Sequence, residues 1–164
     1  MAEIVYKREV KTGTSLNSVL TGKEFKLAVN EQKSLQSLIE ETDFFFISHF
    51  VNDKFIEELS GKERLKNMLS IKMAKLVVSE KIFFPGKFFR EMDRDNFRPA
   101  TFRETLVLAR TFPELIEKIT LVSLGTKIRG MFSCLYSNGK TRYLEFYGPE
   151  GVWVPKIGIL LVKK

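Results

Sequence analysis

The stretch MFSCLYSNGKTRYLEFY, Met131 to Tyr147, decides the architecture of the C-terminal third. Two strand-like runs rich in aromatic residues flank Asn138-Gly139, a dipeptide suited to a tight turn between antiparallel strands. A two-residue turn there predicts a hairpin that pairs Tyr136 with Thr141, Cys134 with Tyr143 and Phe132 with Glu145. Side chains alternate across a strand, so the register sorts them into two faces. One face carries Phe132, Cys134, Tyr136, Thr141, Tyr143 and Glu145. The other carries Arg129, Met131, Ser133, Leu135, Arg142, Leu144 and Phe146. The second set is more aliphatic and is expected to meet helices.

On both sides of the hairpin the hydrophobic period stays near two. Ile119 to Leu124 reads as a strand, with a turn at Gly125-Thr126-Lys127. Gly148-Pro149-Glu150-Gly151 reads as another turn, Trp153-Val154 as the start of the last strand, and Ile157 to Val162 as its body. Upstream, residues 3–10 alternate enough for a first strand or arm, followed by a turn around Gly13. A helix is expected from Gly22, on the strength of a Thr21/Glu24 capping box and the apolar set Phe25, Ala28 and Val29. Leu35, Leu38 and Ile39 suggest a short second helix. Phe46, Phe50, Val51, Phe55 and Leu59 recur at helical spacing, and so do Leu65, Leu69, Met73 and Leu76. Residues 74–79 fit helix or strand. Pro85-Gly86 is a turn signal, and Met92 to Pro99 a polar connection. Thr101-Phe102-Arg103-Glu104 opens the clearest helix, with Phe102, Leu106 and Ala109 on one side. A shorter one follows at Thr111-Phe112-Pro113-Glu114. The expectation is an α+β domain over residues 1–164. Its helical N-terminal two thirds would pack on a C-terminal antiparallel β-meander of about four strands. It divides into a helical subregion, 16–97, and a helix-plus-meander subregion, 98–164.

Composition narrows the function classes. The 164 residues suffice for a sizeable core. A single cysteine, Cys134, excludes an internal disulfide framework and a cysteine-rich zinc site. Charged Glu3, Lys7, Arg8 and Glu9 occupy the place where a signal peptide would need apolar residues, and no apolar run approaches the length of a membrane span. These features lead to the expectation of a cytoplasmic protein without membrane contact. The net charge is +7, and the basic excess lies after residue 50. That balance favours polyanions, and it equally describes an ordinary solvated surface. Fifteen phenylalanines, some in runs such as Phe44-Phe45-Phe46, read first as core filler.

No catalytic constellation is legible, and no cofactor or metal is implied. His49, the one histidine, sits among Phe46 and Phe50 and reads as a core or boundary residue. Gly125-Thr126-Lys127-Ile128-Arg129-Gly130 approaches a phosphate loop but places Met131 where the lysine should stand. Glu91, Asp93 and Asp95 alternate with Arg90, Arg94 and Arg98, so self-pairing competes with cation binding. The candidate nucleic-acid contacts are Lys127, Arg129, Phe132, Tyr136, Lys140, Arg142 and Tyr143. Aromatic rings on a sheet face can stack unpaired bases, and cations at the turns can meet phosphates. Arg129 and Arg142 project from one face at opposite ends of the hairpin, so they form no compact clamp.

The strings RPATFRETLVLARTFPEL, YSNGKTRYLEFY and IGILLVKK, with an earlier KTGTS, resemble a recurrent group of small uncharacterised bacterial proteins. That group combines a G/P-A-T-x-x-E helix, a β-meander and a terminal strand ending in basic residues. The resemblance implies the architecture over residues 98–164 and supplies no activity. A second resemblance is to ribosome-dependent RNase toxins, which place helices before an antiparallel sheet carrying Lys, Arg and Tyr. It would assign Lys127, Arg129, Arg142, Tyr136 and Tyr143 to RNA. Two functions therefore stand as expectations. The first is a non-enzymatic binding or interaction module with a protein or nucleic-acid partner. The second is a small basic RNA-binding protein or ribonuclease that uses the C-terminal sheet.

Overall fold

A computed structural model of the protein describes residues 22–49, 51–63, 68–79, 85–148 and 156–164. The strand or arm expected over 3–10, the turn at Gly13 and the start at Trp153-Val154 lie outside them. Among the described residues eight strands join in one sheet: β1 (Glu24–Asn30), β2 (Phe46–Ile47), β3 (Leu69–Ser79), β4 (Phe97–Pro99), β5 (Thr120–Ile128), β6 (Met131–Ser137), β7 (Arg142–Tyr147) and β8 (Ile157–Lys163). Their order across the sheet is β1-β3-β8-β5-β6-β7-β2, and β4 pairs with β8 off that path. Four described α-helices accompany it: α1 (Leu35–Thr42), α2 (Asp53–Gly61), α3 (Pro85–Arg94) and α4 (Phe102–Thr111). The fold is thus mixed α/β around one large sheet. The expected helical N-terminal two thirds on a four-stranded meander is incorrect.

The corrections have local causes. Phe25, Leu27 and Val29 alternate into the core as β1, so the Thr21/Glu24 box does not open a helix. In β3, Ala74 and Leu76 enter the same core while Lys75 and Val77 point to the opposite face. This settles 74–79 as strand and removes the helix expected through Leu69 and Met73. The helix suggested by the spacing from Phe46 to Leu59 shrinks to α2, which starts where the side chain of Asn52 caps it by accepting from Phe55 N at 3.0 Å. Pro85 opens α3 rather than a turn, and β4 replaces the polar connection before Pro99.

β8 is the largest surprise. It does not close a meander beside β7. It lies between β3, to which it is antiparallel, and β5, to which it is parallel, and β4 continues its second flank at Phe97–Pro99. Its residues Ile157 to Val162 are all buried. A strand covered on both faces has no use for alternation, which is why this one reads as an unbroken apolar run.

The hairpin forms with a shifted register. Ser137 pairs with Arg142, Tyr136 with Tyr143 and Cys134 with Glu145. Asn138 N donates to Thr141 O at 3.1 Å, so the turn centres on Gly139-Lys140. Asn138 Oδ1 accepts from Lys140 N at 3.0 Å and Thr141 N at 2.8 Å, and Gly139 alone in this turn has positive φ, +89°. A type I′ turn at Asn138-Gly139 would need positive φ at both residues, whereas glycine first is the type II′ pattern. Moving the turn by one residue shifts every pair by two, which leaves each side chain on its expected face.

The sheet separates two cores. On one face Leu27, Leu76, Leu121, Leu135, Leu144 and Leu160 meet α1, α2 and α4. Phe146 packs edge-on against Phe55 and Phe102, with centroids 4.8 and 5.8 Å apart. The aliphatic hairpin face meets the helices, as its composition implies. A smaller cluster on the other face joins Met92 of α3 to Phe97, Val122, Leu124, Cys134, Ile159 and Leu161.

Candidate functional site

α4 is the pivot of the molecule. Its opening is the capping box read from sequence: Thr101 Oγ1 accepts from Glu104 N, and Glu104 Oε2 accepts from Thr101 N at 2.8 Å. Every residue from Phe102 to Ala109 is buried, Arg103 and Glu104 included. A helix covered on all sides must neutralise its charges within the protein. It does so in a cleft.

β5 shapes one wall. Its pairing with β6 breaks between Ser123 and Ile128, and the bulged segment turns to the β4–α4 connection. Gly125 N donates to Ala100 O at 2.9 Å, and Phe102 N donates to Thr126 Oγ1 at 3.0 Å. A β-carbon on Gly125 would lie 2.4 Å from Ala100 O, so only glycine permits this approach. Between this wall, β1, β3 and the end of α2 opens a cleft of about 700 Å³. Its lining gathers Glu31, Lys62, Glu63, Lys72, Arg98, Arg103, Glu104 and Lys127.

The acids in it are held by cations. Arg98 donates to both oxygens of Glu104, at 2.9 and 2.8 Å. Lys72 bridges Glu31 at 2.9 Å and Glu104 at 3.1 Å. Arg103 donates from Nε to Glu63 at 2.9 Å and through its backbone N–H to the other carboxylate oxygen at 3.3 Å. Its Nη1 also donates to Lys33 O. Burial alone would raise the Glu104 carboxyl. The Arg98 guanidinium, Thr101 N–H and Lys72 outweigh it and hold Glu104 below its ordinary 4.5. For Glu63 burial wins over Arg103, and the carboxyl rises above 4.5. Burial would lower Lys72, but Glu31 and Glu104 raise it. Glu63 thus gains proton affinity where Glu104 loses it, and both Glu63 oxygens already accept from Arg103.

Five cations line the cleft against three carboxylates, a surplus of two positive charges among the described residues. The surplus belongs to Lys62 and Lys127 on the exposed rim. Lys62 Nζ donates to Lys127 O at 3.1 Å, and Lys127 Nζ lies 5.7 Å from the Phe132 ring centroid. Among the described residues neither ammonium meets a carboxylate.

The expected nucleic-acid contacts divide. Phe132, Tyr136 and Tyr143 share the face away from α1, α2 and α4. Phe132 packs against the smaller core, and Tyr136 stacks on Tyr143 with centroids 5.0 Å apart. Tyr136 Oη donates to Glu145 at 2.6 Å, Tyr147 donates to the same oxygen, and Asn138 Nδ2 donates to Tyr143 Oη at 3.1 Å. Burial, with Glu145 beside it, drives the Tyr136 phenol well above its ordinary 10. Arg129 and Arg142 lie on the opposite side. Arg129 pairs with Glu58 at 2.9 Å over the Phe55 ring, and Arg142 donates to Thr42 O at 3.2 Å. Lys140 stands exposed at the hairpin tip. The seven candidates therefore form no single surface. His49 is exposed in the turn after β2 rather than buried. Asp93 pairs with Lys164 and Asp95 with Arg94, while Arg98, expected to neutralise that acidic stretch, serves Glu104.

Sequence reasoning missed Glu31, Glu63, Lys72 and Arg103. The available signal was Arg103-Glu104 inside the apolar run from Phe102 to Ala109, since charges there need buried partners. Comparison of the chain with protein-family models, curated proteins and solved structures finds no match. The functional reading rests on this geometry alone. Among the described residues no helix is long and apolar enough to cross a membrane.

Proposed function

We propose that the protein is a non-enzymatic binding module and that the cleft beside α4 is its ligand site. One observation carries this reading: six separate segments place eight ionisable side chains around one open cavity, and the buried pairs brace its walls. A wall of interlocked charges is preorganised for recognition, because little side-chain freedom remains to be lost on binding. The same interlocking argues against acid–base chemistry, which requires a group free to exchange a proton with substrate. A small-molecule panel followed by amide NMR tests the reading. Shifts clustered at Glu31, Thr101, Thr126 and Lys127 support it. Turnover of a bound compound that is lost in Glu63→Gln overturns it.

The alternative, an RNA-binding protein, draws on Lys127, Phe132, Tyr136 and Tyr143 sharing one face. Against it, Glu145 stands among the tyrosines, and Arg129 and Arg142 are engaged on the far side. Salt-dependent retention of single-stranded RNA that weakens in Tyr143→Ala would favour this alternative.

A further inference from the structure

We infer that the ligand of the cleft carries a compact oxyanion of the phosphate type, seated at the mouth between Lys62 and Lys127. The inference rests on the reading of the cleft as a binding site and names its chemistry. Inside the cleft the carboxylates already have cationic partners, so a cationic ligand would have to displace Arg98, Lys72 or Arg103 from buried pairs. Breaking such pairs leaves buried charges uncompensated. An anion displaces nothing of that kind. Lys62 gives up only a hydrogen bond to a backbone carbonyl and Lys127 only its place near the Phe132 ring, and both side chains are exposed and turn to the ligand. The surplus of two positive charges matches a phosphate group, which carries about −1.5 to −2 at neutral pH. Val29, Pro99 and Leu124 supply apolar lining for the remainder of a phosphorylated molecule.

The sequence GTKIRG that approaches a phosphate loop thereby acquires a different reading. Residues 125–128 are strand, so no loop wraps the anion. The segment contributes Lys127 to the lining.

Calorimetry and amide NMR of the full chain with inorganic phosphate, O-phosphoserine and the uncharged serine, at constant ionic strength, test the inference. Phosphate or phosphoserine should bind, serine should not, and the perturbed amides should cluster at residues 124–127. Tighter binding of phosphoserine than of phosphate identifies a phosphorylated molecule rather than the free ion. Lys62→Ala should weaken binding by roughly tenfold, the usual scale for one charge-assisted hydrogen bond. Lys140→Ala, at the distant hairpin tip, should leave it unchanged. Lys62 is exposed, and a thermal melt confirms that its variant folds. Absence of phosphate-type binding, or equal loss in both variants, overturns the inference. A neutral or cationic compound shifting the same amides would overturn the oxyanion while leaving the cleft a binding site. Silence of the cleft to every compound in the wider panel would overturn both readings.

Discussion

The cleft beside α4 and the outer face of the β6–β7 hairpin are each built around a glutamate, with opposite results. Glu104 is buried, its acceptors are filled by Arg98, Lys72 and Thr101, and two strands and a helix meet through it. Glu145 is half-buried and accepts from two tyrosines of its own hairpin. The difference lies in solvent, not in ligand count. A charge removed from water depends on each of its partners, whereas a charge at the surface keeps water as a substitute.

The most severe way to break that comparison is to delete each carboxylate. Glu104→Ala should cost about 1.5–3 kcal/mol, the scale of hydrogen bonds to a charged group, because half-buried Arg98 and Lys72 lose a buried acceptor. Glu145→Ala should cost less than about 1 kcal/mol, the usual scale for partly exposed pairs. Urea unfolding of both variants measures this, and equal losses would remove the distinction.

Gly125→Ala comes next. Its β-carbon would press on Ala100 O, and backbone cannot rotate away as a side chain can. A loss of roughly 1–3 kcal/mol is expected from such overpacking, read as a lowered Tm.

Acid sharpens the comparison further. Glu104 has a lowered value in the folded state, so its stabilisation is complete above the ordinary 4.5 and is lost as pH falls through the lowered value. Glu63 has the opposite sign: its raised folded value means stability declines as pH climbs from 4.5 through that value. Urea midpoints followed from neutral to acid pH should fall less steeply in Glu104→Gln than in the parent. Glu63→Gln should gain on the parent across the window just above 4.5.

The smallest effects belong to the hairpin face. Burial pushes the Cys134 thiol up to about 12, with Glu145 adding to it. Cys134 should therefore ignore a thiol reagent at pH 8 until the protein unfolds. Burial and Glu145 also raise Tyr147 above 10, so Glu145→Gln should move tyrosinate absorbance to lower pH. An unchanged titration would show that burial alone sets these phenols.

What was legible from residues alone was local. Thr101 and Glu104 announce their helix because a capping box is completed within one turn of chain. The hairpin faces follow from alternation and survive even an error in the turn, since a shift of two preserves parity. Helical spacing in Leu65, Leu69, Met73 and Leu76 misled because sparse apolar residues fit several periods. Only partners across the sheet select one: Ala74 opposite Val162 and Leu76 opposite Leu160.

The cleft belongs to the other category. Glu31, Glu63, Lys72, Arg98 and Glu104 come from five separate segments, and no local rule links them. Residues 157–162 show the boundary most plainly. Their continuous apolar character states that the strand is buried on both faces, and that much is intrinsic to the amino acids. That its neighbours are β3, β5 and β4 was decided by tertiary assembly. Hydrophobicity records how much surface must be hidden. Which strand hides it depends on contacts distant in the chain, and these exist only once the sheet has formed.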